Sequence, residues 1–307
     1  MSETQKTQGQ KLKALLKNND LPLMMLGAPT PFAALQMEEV GFEAAYLSGA
    51  GMSYFTYGIP DVGILGLQDV AYQTQKFAPI TTLPLLVDVD TGFDDPERTV
   101  QVLIASGAAG CHIEDQTEDK RCGHLDGKTL VSTDEMCERI KAAKKGMTSG
   151  DAKDPDFMLM ARTDALAEEG LDAAIERLKA YLAAGANAVF AEAMEDLAQY
   201  QKIRDAIGPD VPLLANMTEY GKTPLFSQAD LAKVGVDVML LPVSLNRAMH
   251  ASLWPWLDEI KKTGTTQGLV DTGEIRPRHE YSDLIDYDPK TDNRASVLKR
   301  LAERTAE

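Results

Sequence analysis

The stretch LPLLVDVDTGFDDPERTVQVLIASGAAGCHIED, Leu83 to Asp115, contains one complete unit of the fold. An apolar run, Leu83–Asp90, ends in acids; a helical pattern follows and stops at Gly107; a second apolar run, Gly110–Asp115, again ends in acids. Outward from this unit the same order repeats. Apolar runs at Pro22–Ala28, Glu43–Ala50, Asp156–Asp164, Asn187–Ala193, Pro212–Thr218 and Asp237–Ser244 are separated by turns and helical patterns. Gly41, Gly185 and Gly235 stop helices as Gly107 does, and Thr30 before Pro31 reads as an N-cap with proline at the first helical position. Strand–helix units in series, with strands apolar on both faces, predict an α/β fold of the closed (β/α)8 TIM-barrel type. The open dinucleotide-binding sheet lacks its Gly-x-Gly-x-x-Gly fingerprint after the first run.

At 307 residues the chain is long enough for one such barrel domain, 1–307, with extensions at both ends. Leu12, Leu15 and Leu16 have helical spacing within an N-terminal helix in 1–20. An eighth helix, Leu245–Gly264 with Trp254 and Trp256, is followed by an extension, 265–307, that ends in a charged helical tail. This tail either covers the barrel mouth or packs on a neighbouring subunit, and association is the use favoured. With 31 Lys plus Arg against 47 Asp plus Glu, the formal charge of −16 repels phosphate backbones and anionic membranes, so nucleic acid and membrane are excluded as partners. An anionic substrate then needs a local cluster of cations unlike the surface. Three cysteines make no disulfide framework, and no secretory leader pattern opens the chain, which fits the reducing cytoplasm. No apolar run approaches the roughly 18 residues of a membrane span.

In a barrel of this type the chemistry sits at the carboxyl ends of the strands. The third run ends in Asp88 and Asp90, which a period of two places on one face, and the fourth carries His112 and Glu114 in the same relation. Ser48, Arg162, Asp164, Glu192, Asn216 and Thr218 end other runs. Clustered carboxylates need a positive partner, and an oxygen-rich site suits Mg2+, with Mn2+ as a substitute, better than zinc. Asp88, Asp90 and Glu114 are the predicted metal site; the alternative for any one of them is capping the next helix. Beyond Glu114-Asp115-Gln116 comes Lys120-Arg121-Cys122-Gly123-His124, a thiol among two cations and an imidazole, a setting that favours proton exchange by Cys122 near neutral pH. Gly123 is read as a source of flexibility, residues 116–127 as a lid, and Cys111 and Cys137 as small apolar fillers.

KRCGH (Lys120–His124), HIEDQ (His112–Gln116), LPLLVDVDTGF (Leu83–Phe93), ARTDAL (Ala161–Leu166), NMTEYGKTP (Asn216–Pro224) and SLNRAM (Ser244–Met249) occur in one order, and together they resemble the isocitrate lyase and phosphoenolpyruvate mutase superfamily. The likeness is nearest to its 2-methylisocitrate lyase branch and runs from Leu21 to Tyr287; KRCGH discriminates most, since the phosphonomutase branch lacks that cysteine. The resemblance implies that Ser48, Gly49 and Ala50 present donors to an α-keto acid and that Asp88 is a direct Mg2+ ligand whose waters Asp90 and Glu114 hold. It implies that Asp61 sits near the metal-bound oxygen and that Arg162 sits beside the keto-acid carboxylate, with Arg121, Gly123, His124, Asn216, Thr218, Ser244 and Arg247 around a succinate-like half. It further implies a di- or tricarboxylate substrate, a homotetramer exchanging a terminal helix, and catalysis by Cys122 with Lys120, His124, Glu114 and Asp61.

Some positions depart from the pattern. Ala50 replaces a common glycine, Phe190-Ala191-Glu192 replaces Phe-Pro-Glu with both changes expected in the pocket wall, and the segment after Phe93 is shortened. Arg276 and Arg278 both fit the late substrate arginine, and spacing to Tyr287 favours Arg278. Phe190, Leu240 and Pro242 are expected either as walls of a small apolar pocket or as ordinary barrel packing at the ends of the sixth and eighth strands. The implied reaction is Mg2+-dependent cleavage of 2-methylisocitrate to pyruvate and succinate. Dimethylmalate or isocitrate cleavage, oxaloacetate decarboxylation and a non-catalytic dicarboxylate-binding barrel are the alternatives.

Overall fold

The computed structural model describes residues 6–17, 20–118, 120, 123, 124, 127–288, 290 and 293–306. Helix α1 (Gln8–Leu15) precedes eight strands, β1 (Leu23–Gly27), β2 (Ala44–Leu47), β3 (Leu85–Asp88), β4 (Gly110–Glu114), β5 (Met158–Thr163), β6 (Ala188–Ala191), β7 (Leu213–Asn216) and β8 (Val238–Leu241). Every strand lies inside one of the runs predicted from sequence. All neighbours are parallel, and β8 pairs with β1 from Leu23 opposite Val238 to Leu26 opposite Leu241, which closes the barrel.

Helices follow the strands in turn. They are α2 (Pro31–Val40), the short α3 (Gly49–Gly51) with a π-turn at Met52–Tyr57, α4 (Leu67–Phe77), α5 (Pro96–Ala105), α6 (Thr133–Gly146), α7 (Ala165–Glu169), α8 (Leu171–Ala184), α9 (Leu197–Ile207), α10 (Gln228–Lys233) and α11 (Ser244–Thr263). The extension forms α12 (Gln267–Asp271), α13 (Arg278–Leu284) and α14 (Arg294–Ala306). Thr30 caps α2 as its sequence predicts, accepting from the Ala33 N–H at 3.1 Å, and Gly41 ends that helix at φ 99°, a conformation closed to most L-residues. No helix among the described residues is long and apolar enough to cross a membrane.

The strand period sorts the core into two layers. Leu85, Val87, Cys111, Ile113, Leu159 and Val189 pack outward against the helices, whereas Met25, Tyr46, Leu86, Met160, Phe190, Leu214 and Leu240 fill the barrel. Cys111 is buried and Cys137 half-buried, in keeping with packing roles. The amino end of the barrel is closed by α1, whose fully buried Leu12 joins the interior cluster, with Leu15 and Leu16 packed against it. Asp154 fixes α1 by accepting from Thr7 Oγ1 at 2.8 Å and Gly9 N at 2.7 Å. On β2, β3, β5, β6 and β7, one step further along the inward row toward the carboxyl end, the apolar filling gives way to Ser48, Asp88, Arg162, Glu192 and Asn216, and on β4 Glu114 follows His112 in the same way, all buried. A polar mouth therefore rests on an apolar plug.

Candidate active site

A cavity of about 150 Å³ opens at this mouth. Its lining includes Ser48, Ala50, Asp61, Asp88, Glu114, Lys120, Gly123, His124, Arg162, Glu192, Asn216, Thr218 and Arg247. Thirteen residues named from sequence alone thus meet in one place. Arg121 and Cys122 lie outside the described residues.

On one side of the cavity are the carboxylates of β3 and β4. Ser48 caps α3, accepting from Gly51 N at 3.0 Å, and this turn aims the Gly49 N–H at Asp88 Oδ2, also 3.0 Å away. A Cβ on Gly49 would stand 2.8 Å from that oxygen, so the close approach requires glycine. Asp90 does join Asp88, but not through strand alternation. β3 ends at Asp88, and Asp90 sits in a left-handed turn at φ 51° with its N–H 3.2 Å from Asp88 Oδ1. Between these acids lies Lys120, whose Nζ is 2.5 Å from Asp90 and 2.7 Å from Asp61.

Burial alone would strip the Lys120 proton, but Glu114, Asp90, Asp88 and Asp61 outweigh it and raise the pKa above the ordinary lysine value. Burial also opposes the Asp88 charge; His112, Lys120 and Arg162 overcome it and hold the carboxyl down at about 2. Asp90 moves the other way, to about 6, because burial and the neighbouring Asp88 exceed the pull of Lys120. Glu114 is raised well above the usual range, chiefly by burial.

Among the described residues no three His, Cys, Asp or Glu side chains are spaced to hold a metal by themselves. The donors nevertheless suit a hydrated divalent cation. Glu114 Oε1 is buried without a hydrogen-bond partner, and Asp88 faces the same cavity. Mg2+ characteristically keeps several waters and takes only one or two carboxylates.

Opposite lies Arg162, bidentate to Asp164 at 2.9 and 3.1 Å and within 3.2 Å of Glu114 and 3.6 Å of Glu192. Glu192 pairs with His124 Nε2 at 2.7 Å and accepts from Asn216 at 3.3 Å. Burial works against the Glu192 charge, but Arg162, His124 and Asn216 pull its pKa down to about 2. The Lys222 N–H donates to His124 Nδ1 at 3.0 Å, fixing the ring from its far side.

Gly123 is squeezed rather than flexible. A Cβ there would overlap the Arg162 guanidinium and lie 2.5 Å from Glu192 Cγ and 2.7 Å from Asp164 Oδ1. Gly123→Ala should therefore lower kcat/KM about 10- to 100-fold, the equivalent of about 1–3 kcal/mol of overpacking. Steady-state kinetics beside a thermal melt would check this, and unchanged kinetics would show that the loop has room to spare.

The third group is Ser244 and Arg247, both engaged by Glu219. Ser244 Oγ donates to Glu219 Oε1, and Arg247 Nη1 donates to Glu219 Oε2 at 2.9 Å and to the Glu219 carbonyl. The cations expected for an anionic ligand are thus present, but each is already paired with an acid. Arg278 is not among the cavity residues of this chain: it is exposed at the start of α13, whose Tyr281 packs edge-on to Phe32 of α2 at 5.7 Å. Ala50 lines the cavity as expected, whereas Ala191 faces outward into the layer beneath the helices, since its position on β6 is one step out of phase with Phe190 and Glu192. Phe190, Leu240 and Pro242 do line the cavity.

Tyr46, Lys128 and Glu219 were not anticipated. Tyr46 OH stands 2.8 Å from His112 Nε2 and donates to Asp88 Oδ2 at 3.3 Å. Its position two residues before Ser48 on β2 was the available signal. Lys128 and Glu219 offer none, because their partners are remote in sequence or lie off the strand rows.

A model of the family described as phosphoenolpyruvate phosphomutase matches residues 12–261. The chain belongs to this family. Like this phosphomutase-family chain, the 2-methylisocitrate lyase of Escherichia coli (strain K12) spans nearly the whole alignment: the two are 44% identical over 285 residues, covering 91% of this chain and 93% of that protein. The structure of oxaloacetate acetylhydrolase in complex with the inhibitor 3,3-difluorooxalacetate is similar at TM-score 0.80 and 33% identity, covering 91% of this chain and 93% of that one. That of phosphonopyruvate hydrolase in complex with oxalate and Mg++ gives TM-score 0.79 and 25% identity, covering 96% and 98%.

Proposed function

We propose that this chain is a carbon–carbon lyase that cleaves (2S,3R)-2-methylisocitrate to pyruvate and succinate with Mg2+ as its cofactor. The observation that carries this reading is the cavity itself, where the Asp88–Glu114–Lys120 group and Arg162 face Asn216, Thr218 and Arg247 across the apolar wall of Phe190, Leu240 and Pro242. The likeness to the Escherichia coli enzyme supports the substrate. The oxalate and Mg++ bound to phosphonopyruvate hydrolase support the cofactor.

Asp88, Asp90 and Glu114 would hold Mg2+; Mn2+ is the expected substitute. When bound, the ion supplies charge that stabilises oxygen anions of the keto-acid half. Arg162 positions that half by its carboxylate, with Lys120, Gly123 and His124 lining the same cavity. The substrate hydroxyl gives its proton to a carboxylate of the cavity, the bond to the neighbouring carbon breaks, and the carbonyl of pyruvate forms. The electron pair stays on the succinate half, where Cys122 delivers a proton. A cytoplasmic homotetramer completes the reading, and the exposed apolar row Met249, Leu253, Trp254, Leu257 and Ile260 along α11 supports association.

A substrate panel with product identification in Mg2+ buffer tests the proposal. Pyruvate and succinate from 2-methylisocitrate are expected. Propionate from 2,3-dimethylmalate, glyoxylate from isocitrate or carbon dioxide from oxaloacetate as the dominant product would transfer the chain to another activity. Glu219 allows a finer test. Its carboxylate occupies Ser244 and Arg247, so a substrate carboxylate must displace it; charge-assisted bonds are roughly twice as strong as neutral ones. Glu219→Gln should lower KM for 2-methylisocitrate about 3- to 10-fold with kcat nearly unchanged, and a raised KM would instead make Glu219 part of the binding surface.

A further inference from the structure

The turn after β2 carries two aromatic side chains that belong to none of the motifs marking the site. From Met52 to Tyr57 the chain winds as a π-turn, with the Ile59 N–H reaching back to the Ser53 carbonyl at 2.9 Å and Gly58 ending the turn at φ 68°. Such widened turns are rare and recur at functional sites. Here Met52 and Ser53 are buried in the protein, whereas Tyr54 and Phe55 come out on the cavity and line it.

Phe55 is held on two sides. Its ring stacks on His250 of α11, with centroids 4.8 Å apart and planes 26° from parallel, and Tyr54 meets it edge-on at 6.3 Å. Both arrangements are favourable for aromatic rings, so Phe55 is a fixed wall and not a free one. His250 lies three residues beyond Arg247 on the same helix, and side chains at that spacing share a face. The stack therefore seats Phe55 beside Arg247, and both line the cavity. A carboxylate bound at Arg247 has the ring next to it, and a longer ligand has to push that ring off His250.

We infer that Phe55 is a specificity-determining residue: it ends the cavity beside Arg247 and limits the second half of the substrate to the length of succinate. The identity of that half rests on the lyase reading, but dicarboxylate binding tests the wall without any turnover. One methylene against a fitted apolar wall is worth roughly 10- to 200-fold. Titration calorimetry in Mg2+ buffer compares succinate with glutarate, which is longer by that one methylene.

The wild-type protein should bind succinate at least 10-fold more tightly than glutarate. In Phe55→Ala the gap should shrink below 3-fold through tighter binding of glutarate. Phe55→Leu, which keeps part of the wall, should fall between the two, and it decides the matter if a thermal melt shows the alanine variant unfolded. An unchanged ratio, a gap that narrows only because succinate weakens, equal affinities in the wild type, or no measurable binding of either dicarboxylate overturns the assignment. If the wild-type protein leaves 2-methylisocitrate intact, the lyase reading fails while the succinate-to-glutarate ratio still decides the role of Phe55.

Discussion

Lys120→Met should reduce kcat/KM by about 10²- to 10⁴-fold and destabilise the fold, with a deficit that grows as pH rises. The ammonium lies between Asp61 and Asp90, in a group completed by Asp88 and Glu114. Removing one partner of a buried ion pair costs about 3–5 kcal/mol, since the remaining charge stays desolvated. The same energy expressed in a rate is the stated range, at about 1.36 kcal/mol per decade.

The sign of the pH effect follows from Asp90. Its folded pKa of about 6 lies above the unfolded value of 3.8, so the stability linked to its proton is present at low pH and lost as pH rises through the folded value. Without Lys120 that folded value moves higher, because the ammonium is what pulls it down. Urea unfolding of both proteins in chelator-containing buffer should show a larger gap at pH 8 than at pH 6. A gap constant with pH, with full activity retained, would mean that the acids find water instead and that the lysine is dispensable.

The strand ends were legible because alternation along a strand is a local rule. Leu86 to Asp88, Met160 to Arg162, Phe190 to Glu192 and Leu214 to Asn216 each step from apolar filling to polar mouth on one face. Where the chain leaves the strand, the rule fails. Asp90 reaches Asp88 through a left-handed turn, and Ala191 faces the helices although its neighbours face the cavity. Pairings between distant segments left no trace in the sequence at all. Nothing near Lys128 indicates that its ammonium meets the carbonyl of Gly123 and the carboxylate of Asp164, and nothing near Glu219 signals that it occupies Ser244 and Arg247.

The same limit reshapes the reading of Cys122. Sequence surrounds its thiol with cations, but Lys120 spends its charge on Asp61 and Asp90, and His124 spends its donor on Glu192. The case for the cysteine is therefore its chemistry as an acid on a segment whose described members Lys120, Gly123 and His124 all line the cavity. A carbanion leaving as the succinate half needs a proton from a group able to release it near neutral pH. A thiol, with a pKa near 8.5 in model peptides, meets that need; an alcohol of nearly the same shape does not.

Cys122→Ser should accordingly lower kcat by about 10²- to 10⁴-fold, the usual contribution of a positioned acid, while leaving the affinity for oxalate with Mg2+ within 3-fold by calorimetry. Iodoacetamide should inactivate the wild-type protein through this residue, because Cys111 is fully buried and burial raises both its pKa and that of the half-buried Cys137. Near-normal turnover in Cys122→Ser would remove the thiol from the reaction.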